Sequence, residues 1–262
     1  MTSIPVYQID AFASEVFKGN PAAVCPLDRF LDDDVMQSIA LENNLSETAF
    51  LVERDNGDYD LRWFTPAIEV DLCGHATLAS GWLVLNRLRP DAAEVSFHTR
   101  SGKLSVARDG ANLVMNLPAL VAEPMDPPAG FADAIGVEPE AFLRALKNMA
   151  VLGSEAEVLA VKPDLDFIKG MEGFGLIVTA PGDASDCASR YFAPQAGIAE
   201  DPVTGSAHST IVPYWAERLG KSDIHARQVS ARSGDLYCRM EGERVVMGGQ
   251  AVLFLEGEIR LS

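Results

Sequence analysis

Two stretches decide how this chain folds: "WFTPAIEVDLCGHATLASGWLVL", residues 63–85, and "YFAPQAGIAEDPVTGSAHSTIVPYWA", residues 191–216. Each runs from the end of a strand through Phe-x-Pro and a loop to a turn of small residues, then into an apolar helix. Phe64 and Phe192 are 128 positions apart (192 − 64), and Pro66 and Pro194 share that offset. The turn glycines Gly74 and Gly205 are 131 apart, so the second loop is three residues longer. After each helix come short strands with glycine turns: "EVSFHTRSGKLSVARDGANLVMNLP" in the first case, "RQVSARSGDLYCRMEGERVVMGGQAVLFLEGEIRLS" in the second. The spacing is far too long for a solenoid. It predicts duplication: an α+β chain of two pseudo-symmetric halves, residues 1–118 and 119–262, whose last strand is free to return to the first half.

The rest of the chain fills in this frame. "IPVYQIDAF" alternates as a strand does, and "GNPAAV" reads as a turn running into a small apolar stretch. "LDDDVMQSIALENN" reads as a helix with an acidic first turn, and "TAFLVE" as a strand, which puts Glu47 on the connector between them. The proline-rich "PALVAEPMDPPAGFADAIG" reads as a linker. Beyond it, "EPEAFLRAL" is expected to be a short helix, and "AEVLAVKP" and "GFGLIVTAP" to be strands. Pro213 is expected to kink the second apolar helix.

The net charge is −17. Such a chain repels nucleic acid and anionic membrane, so neither is an expected partner. No apolar run is long enough to span a bilayer. The start of the sequence lacks the pattern of a signal peptide, so reduced cysteines in a cytoplasm are expected. Cys25, Cys73, Cys187 and Cys238 form no CxxC pair, and the four histidines do not cluster, so no metal is expected.

The two small-residue turns carry the chemistry. A helix start offers unpaired N–H groups and a partial positive charge. Gly74 and Ala76 in one turn, Gly205 and Ser206 in the other, let a ligand reach those groups. Facing one cleft, the two starts would hold a small carboxylate through backbone dipoles. Neither turn fits a dinucleotide or P-loop pattern.

Several side chains stand nearby. Glu47 precedes an apolar strand, where desolvation would raise its pKa and suit it to both give and take protons; the plainer reading is a solvated loop acid. His75 lies in a first helical turn, whose dipole disfavours imidazolium; it is a neutral donor or a polar cap. Asp201 precedes Pro202 and either binds substrate or shapes the turn. Cys73 would be acidified at its helix start or is a small buried residue. Ser206 binds an anion or caps its helix.

In this order, "GNPAAV", "NLSETAF", "DLCGHATLAS" and "EDPVTGSAH" resemble the motifs of the phenazine-biosynthesis PhzF-like isomerase family, a relation extending to the C-terminal "GGQAV". The resemblance implies a diaminopimelate epimerase-like fold, each half a bent antiparallel sheet around a central helix, with the site between the halves. It implies a cofactor-free isomerase, usually a homodimer, that moves a proton on a small carboxylate-bearing substrate. Glu47 falls on the family's acid/base, His75 and Asp201 on its other catalytic residues, and Gly74, Gly205 and Ser206 on the turns that hold substrate. Related epimerases use a cysteine at each helix start. Here Cys73 fills one such place and Thr204 the other, which disfavours a two-thiol racemase. An epimerase relying on Cys73, and a metabolite-binding protein without catalysis, are the alternatives.

Overall fold

The computed structural model describes residues 2–261. They fall into two compact units, one running to Asn116 and resuming at Gly248, the other Leu117–Met247. The last strand pairs with the first, Ser3 opposite Arg260 and Ala11 opposite Ala251.

In the first unit, β1 (Thr2–Ala11) pairs antiparallel with β2 (Asn20–Leu27). Helix α1 (Asp33–Asn43) leads to β3 (Glu47–Glu53), parallel to β2, and β4 (Tyr59–Phe64), antiparallel to β3. The short β5 (Glu69–Val70) pairs back on β4 and feeds α2 (Gly74–Leu83), which continues as a single π-helical stretch, Val84–Leu88. Three antiparallel strands follow, β6 (Glu94–Thr99), β7 (Gly102–Asp109) and β8 (Asn112–Pro118), with β6 lying parallel to β4. Almost every residue of α2 is buried, as its all-round apolar sequence requires, and the helix packs on β1, β2, β3 and β7.

The second unit opens with β9 (Glu123–Pro124), α3 (Phe131–Ile135) and β10 (Ala141–Arg144). From there it repeats the first. β11 (Asn148–Val151) and, after two short helices α4 (Glu155–Ala160) and α5 (Leu165–Gly170), β12 (Leu176–Pro181) are parallel, like β2 and β3. β13 (Cys187–Ala193) is antiparallel to β12, and β14 (Ile198–Asp201) folds back on it, like β4 and β5. Helix α6 (Gly205–Leu219) takes the place of α2. β15 (Asp223–Gln228), parallel to β13, β16 (Gly234–Glu241) and β17 (Arg244–Gly249) then match β6 to β8; β18 is Ala251–Leu261. The sheets are therefore mainly antiparallel, with two parallel pairings in each unit.

The registers make the repeat residue-specific. Thr48 opposes Phe64 and Leu176 opposes Phe192, so the 128-residue offset read from the sequence is also the structural one. By the same registers Glu47 corresponds to Gly175, Ala22 to Lys147, and Val70 to Asp201.

Three local expectations fail. "EPEAFLRAL" yields the strand β10, because Phe142 and Leu143 are both buried and an extended chain sends consecutive side chains to opposite faces. "AEVLAVKP" yields the helix α4 instead of a strand; Ser154 accepts the Glu157 N–H, and Glu157 accepts the N–H of Gly153. The Ser-x-x-Glu signature of that cap stands in the sequence. "GNPAAV" is mostly strand rather than turn, since Asn20 to Val24 lie buried in β2.

Candidate active site

In the first unit, three of the candidate residues meet. Glu47 is the first residue of β3, not part of the connector, and is 8% exposed. Its Oε2 lies 3.1 Å from Nε2 of His75, at ion-pair distance, and neither atom has a hydrogen-bond partner. His75 enters from the first turn of α2 and Cys73 is that helix's N-cap, its Sγ 3.5 Å from His75 Nδ1. The amide nitrogen of Asn20, the first residue of β2, lies 3.1 Å from the same Nδ1. When the ring is neutral, a donor there makes Nδ1 the acceptor and leaves the proton on Nε2, facing Glu47.

Charge corrects two expectations. Burial opposes an imidazolium at His75, but negative charge at Cys73 and Glu47, with hydrogen bonds to both, raises its pKa well above the usual histidine range. At neutral pH the operative cause is Glu47, because Cys73 is a thiol. Burial first, then the charge of Glu47, pushes that thiol up to about 11, outweighing the neighbouring His75 and the Ala76 N–H. The helix start therefore neither keeps His75 easily neutral nor acidifies Cys73.

One ligand atom each from Glu47, Cys73 and His75 lies within 4.8 Å of the others. Holding a metal there would require Cys73 as the thiolate, against the push of burial, and for a bond at Nδ1 the loss of the Asn20 contact.

In the second unit, Asp201 ends β14 opposite Tyr191. Thr204, the N-cap of α6, donates its hydroxyl to Asp201 Oδ2. Gln228, fully buried on β15, accepts the Thr204 N–H at 2.8 Å and donates to the Asp201 carbonyl at 2.7 Å, and the Ser230 hydroxyl donates to the Pro202 carbonyl. These bonds fix the loop ahead of the helix. Gly205 is buried and Ser206 half-buried in the first turn, and neither Cys73 nor Thr204 caps its helix with a side-chain hydrogen bond. Both helix starts thus leave backbone N–H groups for another acceptor. His208 is set apart: fully buried, it holds its Nδ1 2.8 Å from the Thr204 carbonyl one turn back.

The sequence reading missed Asn20, Gln228, Tyr191 and Lys147. Asn20 stands in "GNPAAV", where the sequence alone suggests a turn. Gln228 comes 27 residues after Asp201, and only the pairing of β15 with β13 brings it near.

Comparison with known proteins fits this architecture. The PhzC-PhzF family, described as phenazine biosynthesis-like protein, matches residues 9–257. An uncharacterized isomerase of Pseudomonas aeruginosa is 50% identical over 98% of this chain and 99% of its own length. The crystal structure of a PhzF-family protein from Enterococcus faecalis superposes with a TM-score of 0.96 at 43% identity, covering 99% of this chain and 100% of that one. A hydroxyproline epimerase from Agrobacterium vitis shares the fold alone, with a TM-score of 0.64 at 8% identity over 98% of this chain and 92% of its own. This chain is an isomerase with an epimerase-like α+β fold. It belongs to the phenazine biosynthesis-like PhzC-PhzF family. No helix among the described residues is long and apolar enough to cross a membrane.

Proposed function

We propose that this isomerase moves a proton between two carbons of a small carboxylate-bearing substrate without a cofactor, with Glu47 as the acid/base. The observation that carries the reading is the buried contact of Glu47 with His75 at 3.1 Å, whose facing atoms have no hydrogen-bond partner. A carboxylate so held can take a proton from carbon and return it, while the imidazole steadies the charge that appears and disappears on it. The N–H groups at the start of the helix that carries His75, at Gly74, would take its carboxylate.

An epimerase built on Cys73 is the weaker reading. Burial keeps its sulfur protonated, and the corresponding N-cap is Thr204, which cannot exchange a proton near neutral pH. The test is a screen of small carboxylates in deuterated water, read by mass. Wild-type protein should introduce deuterium into a substrate, and Glu47→Gln should fold normally and introduce none. Turnover surviving in that variant refutes the assignment.

A further inference from the structure

The duplicated registers leave one charged residue without a role. Lys147 stands just before β11 beside Gly175, whose carbonyl accepts the next residue's N–H. This pair corresponds to Ala22 and Glu47 in the first unit. Where one unit has alanine and a glutamate, the other has a lysine and no side chain at all. Gly175 cannot carry one: its φ is +95°, and an added Cβ would lie 2.4 Å from the Phe192 carbonyl oxygen and 2.8 Å from the Tyr191 hydroxyl.

The surroundings of Lys147 are those of a binding group. It is only 8% exposed. Its Nζ lies 5.7 Å from the centre of the Tyr191 ring. Tyr191 opposes Asp201 across β13 and β14 and opposes Ile177, two residues from Gly175, so Lys147, Tyr191 and Asp201 share one face of the sheet. That face corresponds to the one from which Glu47 projects. Other well-covered cations are matched at close range: Arg62 holds Glu69 through two bonds and Arg190 holds Glu200 likewise. Lys147 has no carboxylate within 4 Å among the described residues, and the charge acting on it is that of Asp201. Burial lowers its pKa to about 8, and Asp201 only partly opposes this. A covered ammonium so weakly compensated is costly unless an anion joins it.

We propose that the Lys147 ammonium is the direct binding group for a carboxylate of the ligand. The inference rests on the proposed reading of the site as one for small carboxylates, and it gives this acidic protein a dedicated cation for them. The interaction is a charge-assisted hydrogen bond, whose loss weakens binding by at least about tenfold.

The experiment measures binding, not turnover. Benzoate, succinate and 2-oxoglutarate, with benzamide as the uncharged counterpart of benzoate, are titrated calorimetrically into wild-type protein, Lys147→Met and Glu47→Gln. At least one carboxylate should bind the wild type, bind Lys147→Met at least tenfold more weakly, bind Glu47→Gln, and exceed benzamide. Wild-type protein labelled with 15N-lysine should show the Lys147 signal shifting on addition of that carboxylate, a readout independent of whether the variant folds. Equal binding by Lys147→Met, an unmoved lysine signal, or no carboxylate binding to the wild type overturns the proposal. Deuterium exchange surviving in Glu47→Gln would instead overturn the catalytic reading and leave Lys147 untouched.

Discussion

His208 allows a sharp test of how burial governs charge in this fold. It sits in the first turns of α6, fully buried, with Nδ1 on the Thr204 carbonyl and no hydrogen-bond partner for Nε2. Burial, only partly opposed by the Thr204 bond, lowers its pKa to about 4. The positive end of the helix acts in the same direction. An unfolded histidine takes its proton near pH ~6.5. The unfolded chain therefore binds more protons between those values. Stability supplied by the neutral ring is fully present above about pH 6.5 and lost as pH falls to about 4. The gap is worth about 3 kcal/mol. The perturbation is His208→Asn, which keeps a donor for the Thr204 carbonyl and removes the titration. The assay is urea denaturation at several pH values, followed by tryptophan fluorescence, to which Trp215 of the same helix contributes. The variant loses packing at every pH, so only the pH dependence is compared. The difference between wild type and variant should shift by about 3 kcal/mol in favour of the variant from pH 7 to pH 4. Parallel curves would refute the reasoning.

Gly175→Ala should destabilise the protein by at least about 3 kcal/mol in urea, because a positive φ and an overlap with the Phe192 carbonyl act together; an unchanged midpoint would mean that β12 starts differently. Gln228→Ala should cost about 2–4 kcal/mol, since the Thr204 N–H and the Asp201 carbonyl lose buried partners, and should raise hydrogen exchange at Thr204. Cys73→Ser should retain most of the deuterium exchange catalysed by the wild type; its loss would return a protonic role to the thiol, whose pKa of about 11 argues against one.

The sequence made the repeat legible because each unit turns on the same covalent device: Phe-x-Pro, a tight glycine turn and an apolar helix. Those features are local, and their 128-residue offset survives in the strand registers. What failed was segments whose state is set by distant neighbours. "AFLR" is a strand because β11 pairs with it, a contact that outweighs the helix propensity of its alanine and leucine. Within the candidate site, Glu47, His75 and Cys73 were nameable from motifs, but their charge states were not. The histidine's depends on a carboxylate 28 residues earlier in the chain, 3.1 Å away in space. Lys147 was invisible for another reason: only the register that sets it beside Gly175 makes it the counterpart of a position next to the glutamate.

The pairing of β1 with β18 has a consequence for how the chain is made. The second unit is continuous, Leu117–Met247, and every partner it needs has been synthesised before residue 248. The first unit is discontinuous. Its first strand lacks a neighbour along ten register positions, from Thr2 opposite Leu261 to Ala11 opposite Ala251, until the last residues appear. During translation the later half should therefore mature ahead of the earlier one, and the N-terminal strand should present an open edge, a template for misassociation, for most of that time. Pulse proteolysis of stalled nascent chains would register this inverted order as a protease-resistant second unit attached to a sensitive first one.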